Sequence, residues 1–241
     1  MNYVIGLHPI YELLQTSAER IIKVYLQKSS FSARKEALIQ ALKVKKIPIE
    51  YLSFEALTRM GKSDSHQGFV AEIIERKLLD VETFMKTAPK EALVVALDSI
   101  YDPHNFGAIL RACECFGASA ILWSKNRGCG ITPAVTKASA GASELVNLIL
   151  VANLATTLKK LQEEGFSLIA AEANRSAISL SKFSFPARSV LILGSEGEGI
   201  QKLILKMCDH NLYIPMQGKI GSLNVSQAAS VLLATYTNRQ R

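Results

Sequence analysis

The chain has 241 residues, of which 49% are hydrophobic, and it carries 28 lysines and arginines against 21 aspartates and glutamates, a net charge of +7. This composition supports a buried core and excludes a disordered chain, and no apolar run reaches the ~20 residues that a membrane-spanning helix needs. The positive charge favours a polyanionic partner, and it is densest in residues 1–77, which hold 12 basic and 8 acidic side chains.

The first 75 residues predict a small α/β unit. Its expected elements are a helix with Pro9 in its first turn, strands over 21–26, 47–52 and 68–74, a helix capped by Ser32 that runs to about Lys43, and a short helix capped by Ser53 that ends at Gly61. Lys43, Lys45 and Lys46 precede the second of these strands. They are either a solvated helix end or a contact to an RNA backbone.

Residues 76–90 are expected to hold a linker and a first helix, capped by Asp80, before a larger unit over residues 91–241. Residues 92–97 form a continuous apolar run, which is typical of a strand buried on both faces. Strands and helices alternate after it. The strands are expected over 119–123, 145–151, 166–171, 190–193 and 212–215, one helix from about Asn105, and two more helices capped by Thr132 and Asn153. This alternation predicts a mostly parallel sheet covered by helices on both sides.

Two glycine-rich turns, residues 194–199 and 218–224, each follow one of these strands, and they carry Glu196, Ser222 and Asn224. Because the carboxyl ends of parallel strands lie at one edge of a sheet, the turns predict a binding crevice there. The glycine spacing of the first turn does not match a dinucleotide-binding motif, and its two acidic residues disfavour a phosphate ligand. A purely structural alternative for Asn224 is the N-cap of the last helix.

The loop and helix over residues 98–111 place two further polar side chains after a strand. Asn105 lies at the helix start, where it can cap the helix or hold a polar ligand. Arg111 follows nearly two turns later, so it lies on roughly the same side of the helix. An arginine beside strand ends in a basic protein indicates phosphate or ribose binding. The alternative is a structural ion pair.

Several other chemistries are disfavoured. The four histidines are scattered, and no spacing of cysteine and histidine suggests zinc, so we expect no metal site. The chain has no nucleophile-elbow motif of a hydrolase. The four cysteines lie in irregular positions and no secretion signal is evident, so we expect reduced thiols in a cytoplasmic protein.

Three segments resemble, in order, the motifs of one enzyme family. They are residues 105–117, residues 191–200 and residues 214–226. The family is the SpoU branch of the knotted SPOUT RNA methyltransferases, and residues 137–142 resemble a further segment found between its first two motifs. Residues 1–75, with 65–70 at the end, resemble the ribosomal-protein-like substrate-binding domain of the 23S rRNA guanosine 2′-O-methyltransferases.

The resemblance implies an α/β fold in which residues 91–241 form a SPOUT domain with a mostly parallel sheet and a deep trefoil knot, and residues 1–75 bind RNA. It implies S-adenosylmethionine as the cofactor, a homodimer, and neither a DNA nor a membrane partner. The implied cofactor contacts are Gly194, Gly199, Ile214, Met216 and Leu223. The implied catalytic residues are Asn105, Arg111, Glu196, Ser222 and Asn224.

The implied reaction is methyl transfer to the 2′-hydroxyl of a guanosine in 23S rRNA. Arg111 is commonly assigned as the base in this family, but a guanidinium with a pKa above ~12 is not normally deprotonated in a protein. We expect Arg111 instead to stabilise the developing alkoxide and to grip the adjacent phosphate. The candidate routes for the proton are the phosphate, water and Glu196.

Two alternatives stay open from the sequence: a tRNA ribose methyltransferase, and a non-catalytic RNA-binding factor for ribosome assembly. The N-terminal domain favours rRNA over tRNA. The joint presence of the implied catalytic residues favours an enzyme, because a scaffold with no catalytic role need not keep all of them.

Overall fold

The structure, a computed structural model, describes residues 2–28, 33–174, 176–195 and 197–238. Ser32, the predicted helix cap, and Glu196, a predicted catalytic residue, lie outside the described residues. The chain forms two compact units. The first comprises Met1–Lys77 and Ile131–Leu145, and the second comprises Leu78–Gly130 and Val146–Arg241. Residues 131–145 therefore pack with the N-terminal part of the chain.

Helices and strands alternate along most of the described chain, with β8, β9 and β10 as the exception. The N-terminal elements are β1 Asn2–Ile5, α1 Leu7–Thr16, β2 Ile21–Gln27, α2 Ala33–Val44, β3 Ile49–Leu52, α3 Phe54–Gly61 and β4 Phe69–Ile73. The next are α4 Val81–Thr87, β5 Ala92–Asp98, α5 Pro103–Cys115, β6 Ala120–Ser124, α6 Pro133–Ala138, β7 Leu148–Val151 and α7 Leu154–Glu163. The last are β8 Ser167–Ala171, β9 Ile178–Ser179, β10 Arg188–Gly194, α8 Lys202–Leu205, β11 His210–Tyr213 and α9 Val225–Asn238. Short 3-10 helices lie at Ala18–Arg20, Asp64–His66, Ala142–Glu144 and Leu180–Lys182.

The first unit is built on a four-stranded sheet with the order β1-β4-β2-β3. Strand β4 is antiparallel to both of its neighbours, and β3 is parallel to β2. Ile10, Leu13 and Leu14 of α1 are fully or almost fully buried against this sheet. Helix α6 packs on β1. Arg20 forms a salt bridge with Glu144, and Arg76 Nη1 donates to the Ser143 carbonyl oxygen over 3.0 Å, so ionic and polar bonds hold residues 131–145 in this unit.

The second unit is built on a seven-stranded sheet with the order β7-β6-β5-β10-β8-β11-β9. Every described strand pair in it is parallel. All seven positions of β5 are buried, as its apolar run predicts. An α/β fold with a mostly parallel sheet is thus confirmed, while the deep trefoil knot stays a prediction. Among the described residues, no helix is long and apolar enough to span a membrane.

Three predicted helix caps are confirmed. Caps are predictable from sequence because a cap bonds only to residues of its own first turn. Asp80 accepts a hydrogen bond from the Thr83 backbone amide over 2.8 Å. Thr132 and Asn153 make the same contact at the starts of α6 and α7, over 3.3 and 3.0 Å.

Several predicted element starts differ from the structure; β10 and β11, for example, each begin two residues before the predicted strand. Two further differences have a clear cause. Helix α5 begins at Pro103 and not at Asn105, because Asp102 is the cap and accepts from the backbone amides of His104 and Asn105. Strand β7 begins at Leu148 and not at residue 145, because Ala142–Glu144 forms a 3-10 helix first.

Candidate active site

A cavity of about 440 Å³ lies at the carboxyl ends of β8 and β10 and beside the start of α9. Its size falls within the range of small-molecule sites. Both glycine-rich turns contribute to its wall. The lining residues are Ala171, Glu172, Leu193, Gly194, Ser195, Gly197, Gly199, Ile200, Ser222, Leu223, Asn224, Val225 and Ala228.

The turn after β10 is closed by backbone contacts. The Ser195 amide donates to the Gly199 carbonyl over 3.2 Å, and the Gly199 amide donates to the Ser195 carbonyl over 3.1 Å. A Cβ on Gly194 would lie 2.3 Å from the Gly199 carbonyl carbon and 2.5 Å from the Ile200 nitrogen. Gly194 is therefore required by close packing of main chain on main chain, and backbone groups form this part of the wall.

Two carboxylates bind the backbone directly after this turn. The sequence did not indicate either of them as a site residue. Glu172, directly after β8, accepts from the Ile200 amide over 3.0 Å. Asp98, the last residue of β5, accepts from the Gln201 amide over 2.8 Å and from Gln201 Nε2 over 2.7 Å. The one sequence signal for both is an acidic residue at the carboxyl end of a buried strand.

Asn224 joins the third motif to the first. Its Nδ2 donates to Asn105 Oδ1 over 2.9 Å, while its Oδ1 accepts from the backbone amide of Ser226 over 2.9 Å. Asn224 therefore both caps α9 and contacts the predicted site residue on α5. The structural and functional interpretations of Asn224 are compatible, because the two ends of its amide serve different partners.

Arg111 lies on the exposed face of α5. The opposite face of the helix is buried, with Phe106, Ile109 and Leu110 almost fully inaccessible to solvent. Among the described residues, Arg111 has no hydrogen-bond or ion-pair partner in the structure. Its guanidinium is presented to solvent on the helix that starts with Asn105, so the structure does not support the ion-pair alternative within the described part of the chain.

The predicted site residues divide into three groups. Gly194, Gly199, Ser222, Leu223 and Asn224 line the cavity, and Asn105 reaches it through its bond to Asn224. The described lining does not include Arg111, Ile214 or Met216. Ile214 is half-buried and Met216 is exposed, both after β11. Glu196 lies outside the described residues.

The buried thiols are unsuited to nucleophilic chemistry. Burial raises the pKa of Cys113 far above its usual value, and burial also raises the pKa of Cys208 to about 12, with smaller contributions from Asp209 and Glu172. These thiols are neutral near pH 7, and a neutral thiol is a weak nucleophile. In the described residues no cluster of histidine, cysteine and acidic side chains is placed to hold a metal ion.

Comparisons with known proteins match both units. The model of the SpoU rRNA Methylase family matches residues 92–234, and the model described as RNA 2′-O ribose methyltransferase substrate binding matches residues 3–78. The substrate-binding match therefore covers the described strands β1 to β4, and the methylase match covers the cavity.

Relatives and solved structures agree with these matches. The 23S rRNA (guanosine-2′-O-)-methyltransferase RlmB of Coxiella burnetii is 33% identical over 233 residues, which cover 95% of this chain and 92% of that protein. The protein of the same name from Photobacterium profundum is 35% identical over 237 residues, 96% of this chain and 95% of the relative.

The crystal structure of the SpoU methyltransferase AviRb from Streptomyces viridochromogenes, in complex with the cofactor AdoMet, superposes with a TM-score of 0.80 at 18% identity, covering 99% of this chain and 90% of that one. This likeness extends the shared fold over the whole chain. With a family model that spans the seven-stranded sheet and relatives that align nearly end to end, the chain belongs to the SpoU rRNA methylase family.

Proposed function

We propose that this protein transfers a methyl group from S-adenosylmethionine to the 2′-hydroxyl of a guanosine ribose in 23S rRNA. The observation that carries the proposal is the cavity in which both glycine-rich turns meet and to which Asn224 ties Asn105 of α5. The three motif segments thus converge on one place, although they are far apart in the sequence. The relatives' names supply the reaction and the substrate class.

The cavity suits this cofactor. Main chain around Gly194 and Gly199 offers hydrogen-bonding groups, while Leu193, Leu223 and Val225 offer apolar surface. The lining of this cavity is part polar and part apolar, and small-molecule sites combine apolar wall with a few placed polar groups. When bound, the cofactor supplies a methyl group on a positively charged sulfur, which is a good leaving group. Ile214 and Met216 are proposed as further contacts on the segment after β11.

The remaining polar residues are proposed to act on the RNA. Arg111 stabilises negative charge on the ribose oxygen and binds the neighbouring phosphate, because its planar guanidinium stays charged and donates in a fork. Asn105, Ser222 and Asn224 orient the ribose, which aligns its oxygen for attack. Glu196, water or the phosphate accepts the proton.

We further propose that the active form is a homodimer in which each site is completed by the second copy. Arg111, Ile214 and Met216 do not line the cavity of one copy in the described structure, and this arrangement is consistent with a site that needs a second chain. The reaction would take place in the cytoplasm, where a 23S rRNA substrate is found.

The match to the substrate-binding model over residues 3–78 favours rRNA over tRNA. The first unit is rich in lysine and arginine, and its exposed Lys43, Lys45 and Lys46 lie at the end of α2 and directly after it. Such side chains bind a phosphate backbone without reading its sequence.

Two measurements test the proposal. Calorimetric titration with S-adenosylmethionine should show saturable binding, and incubation with 23S rRNA should give one ribose that resists alkaline cleavage at its 3′ phosphodiester. Absence of binding at millimolar cofactor would refute the enzyme and favour an assembly factor. Methylation of tRNA in place of 23S rRNA would identify a tRNA enzyme.

A further inference from the structure

Two carboxylates hold consecutive backbone amides of the loop that follows β10. Strand β10 lies between β5 and β8 in the sheet, and each of these neighbours brings one acidic residue to its carboxyl end. Glu172 accepts from the Ile200 amide over 3.0 Å, and Asp98 accepts from the Gln201 amide over 2.8 Å. The loop is thus bound from both sides at the point where it returns to the sheet.

The bond that Asp98 accepts is shielded from water, whereas Glu172 is half-buried at the cavity. Asp98 is 1% exposed and Ile200 is 3% exposed. Both oxygens of the Asp98 carboxylate accept hydrogen bonds, because Oδ2 accepts from the Gln201 amide and Oδ1 accepts from Gln201 Nε2 over 2.7 Å and from Ser99 Oγ over 3.1 Å. A buried carboxylate is costly unless several donors satisfy it, and donors to a charged acceptor make stronger bonds than neutral pairs do. The burial of Asp98 therefore makes its bonds to Gln201 strong.

We propose that Asp98 and Glu172, the carboxylate clamp, are positioning residues for methyl transfer, an inference that rests on the proposed function. The clamp holds residues 197–201 in the conformation that forms this part of the cavity wall before the cofactor arrives. A loop that must be ordered on binding weakens affinity, because ordering costs free energy that binding must offset. Loss of the clamp should therefore weaken cofactor binding more than it slows the chemical step.

Glu172 needs one distinction, because it also lines the cavity. As a clamp it needs only an oxygen that accepts from the Ile200 amide. As a direct ligand for a cationic part of the cofactor it needs its negative charge. Glu172→Gln keeps the acceptor and removes the charge, whereas Glu172→Ala removes both.

The chain offers a matched control at the opposite edge of the sheet. Asp209 accepts from the Leu168 amide over 2.7 Å and from Gln162 Nε2 over 3.0 Å. It therefore binds one backbone amide and one glutamine side chain, as Asp98 does, but at the amino end of β8 and away from the cavity. Asp209→Asn should lower stability without changing cofactor affinity.

The experiment compares Glu172→Ala, Glu172→Gln, Asp98→Asn and Asp209→Asn with the wild type, on the full chain. S-adenosylmethionine affinity is measured by calorimetry and thermal stability by scanning calorimetry. The kcat and KM are measured with 23S rRNA. Amide hydrogen exchange of peptides over residues 194–205 is measured without cofactor, because it reports the order of the loop independently of any activity.

We expect Glu172→Ala and Asp98→Asn to raise the cofactor Kd and KM about tenfold, the change produced by losing ~1.4 kcal/mol, with kcat within about threefold of wild type. Glu172→Gln should stay within about threefold in Kd, and Asp209→Asn within about twofold. Exchange over 194–205 should accelerate in Glu172→Ala and Asp98→Asn only. If Asp98→Asn does not fold, the two Glu172 variants still decide the question.

Three results would overturn the clamp: equal loss of affinity in Glu172→Gln and Glu172→Ala, equal loss in Asp209→Asn and Asp98→Asn, or unchanged exchange over residues 194–205 in Glu172→Ala. A wild-type protein that binds no cofactor would refute the proposed function instead. The exchange data would then still test the clamp as a device that orders the loop.

Discussion

Gly194 leaves no room for a side chain in the cavity wall. A methyl group there would lie 2.3 Å from the Gly199 carbonyl carbon, and main chain cannot move aside as a flexible side chain can. We expect Gly194→Ala to lower the free energy of unfolding by ~1–3 kcal/mol or more and to abolish cofactor binding. Urea unfolding and calorimetric titration measure both effects.

Gly130→Ala is the matched control, because a Cβ on Gly130 would meet no heavy atom within 4 Å. Its free energy of unfolding should change by less than about 1 kcal/mol. A Gly194→Ala variant as stable as Gly130→Ala would show that the turn can relax around an added methyl group.

Arg111 is expected to act on the RNA and not on the cofactor, since it lies on the exposed face of α5 and outside the described cavity lining. Lysine keeps the charge but lacks the planar fork. We therefore expect Arg111→Lys to lower kcat ~100-fold or more, with the cofactor Kd unchanged. Single-turnover methylation and calorimetry measure the two quantities. Near-normal turnover in this variant would rule out a specific role for the guanidinium.

His66 makes the first unit sensitive to pH. It is 0% exposed, and its Nδ1 accepts from the Gly68 amide over 2.9 Å, which requires an unprotonated Nδ1. Burial lowers the pKa of His66 below its usual value of 6.5. The unfolded chain therefore binds a proton at a higher pH than the folded chain does, so the stability contributed by neutral His66 is present above about pH 6.5 and is lost as the pH falls through the folded pKa.

We expect urea unfolding of the first unit to show a lower free energy at pH 5 than at pH 7.5. The difference should shrink in His66→Gln, which does not titrate in this range. The imidazole titration followed by NMR should have a midpoint below 6.5 in the wild type. A midpoint above that value would contradict the assignment of a neutral, buried ring.

At the scale of elements, α5 and α9 are joined at their amino ends through Asn224. Its Oδ1 caps α9 and its Nδ2 donates to Asn105, so the two roles can be separated by substitution. Asn224→Asp keeps the cap and loses the donor. Asn224→Ala loses both. We expect Asn224→Ala to lose ~1 kcal/mol of stability and most activity, and Asn224→Asp to lose activity alone.

Thermal unfolding and the methylation rate of the two Asn224 variants check this expectation. Wild-type activity in Asn224→Asp would contradict the expectation, because Asn224 would then act only as a helix cap. If Asn224→Asp lowered stability as much as Asn224→Ala does, the bond to Asn105 would also stabilise the pair of helices.

At the scale of the whole molecule, the first unit is assembled from two separate stretches of chain. Arg20 and Glu144, one from each stretch, form a salt bridge with side-chain exposures of 13% and 6%. Removal of Arg20 leaves the buried Glu144 carboxylate without its salt-bridge partner. We expect Arg20→Ala to cost ~3–5 kcal/mol, measured by urea unfolding.

The double variant Arg20→Met, Glu144→Leu should recover most of this loss, because apolar side chains of similar size need no compensating charge. Exposed Lys45→Ala is the control and should change stability by less than ~0.5 kcal/mol. Equal losses in Arg20→Ala and Lys45→Ala would mean that residues 131–145 do not depend on this bridge.

Much of the local structure could be predicted without coordinates. Asp80, Thr132 and Asn153 were predicted as helix caps and are caps, because a cap bonds only to amides two or three residues away. The burial of β5 is predictable because its apolar residues are consecutive in the sequence. The start of α5 was misplaced because Asn105 and Asp102 are both good caps, and only the folded chain shows that Asp102 and Pro103 begin the helix.

By itself, the sequence determined the alternation of strands and helices, the parallel sheet, the two glycine-rich turns and the family resemblance. Periodicity and motif spacing are properties of neighbouring residues, so they survive without coordinates. They do not say which strand pairs with which. The tertiary structure decided that β10 lies between β5 and β8, and so that Asp98 and Glu172 meet the same loop.

Only the tertiary structure shows two other contacts between distant parts of the chain. Asn105 bonds to Asn224, 119 residues away, and residues 131–145 pack with the N-terminal unit. Such contacts form only after strands and helices have packed, because the loss of chain entropy on closing long loops is offset by burial of the whole core. No short stretch of sequence carries that information.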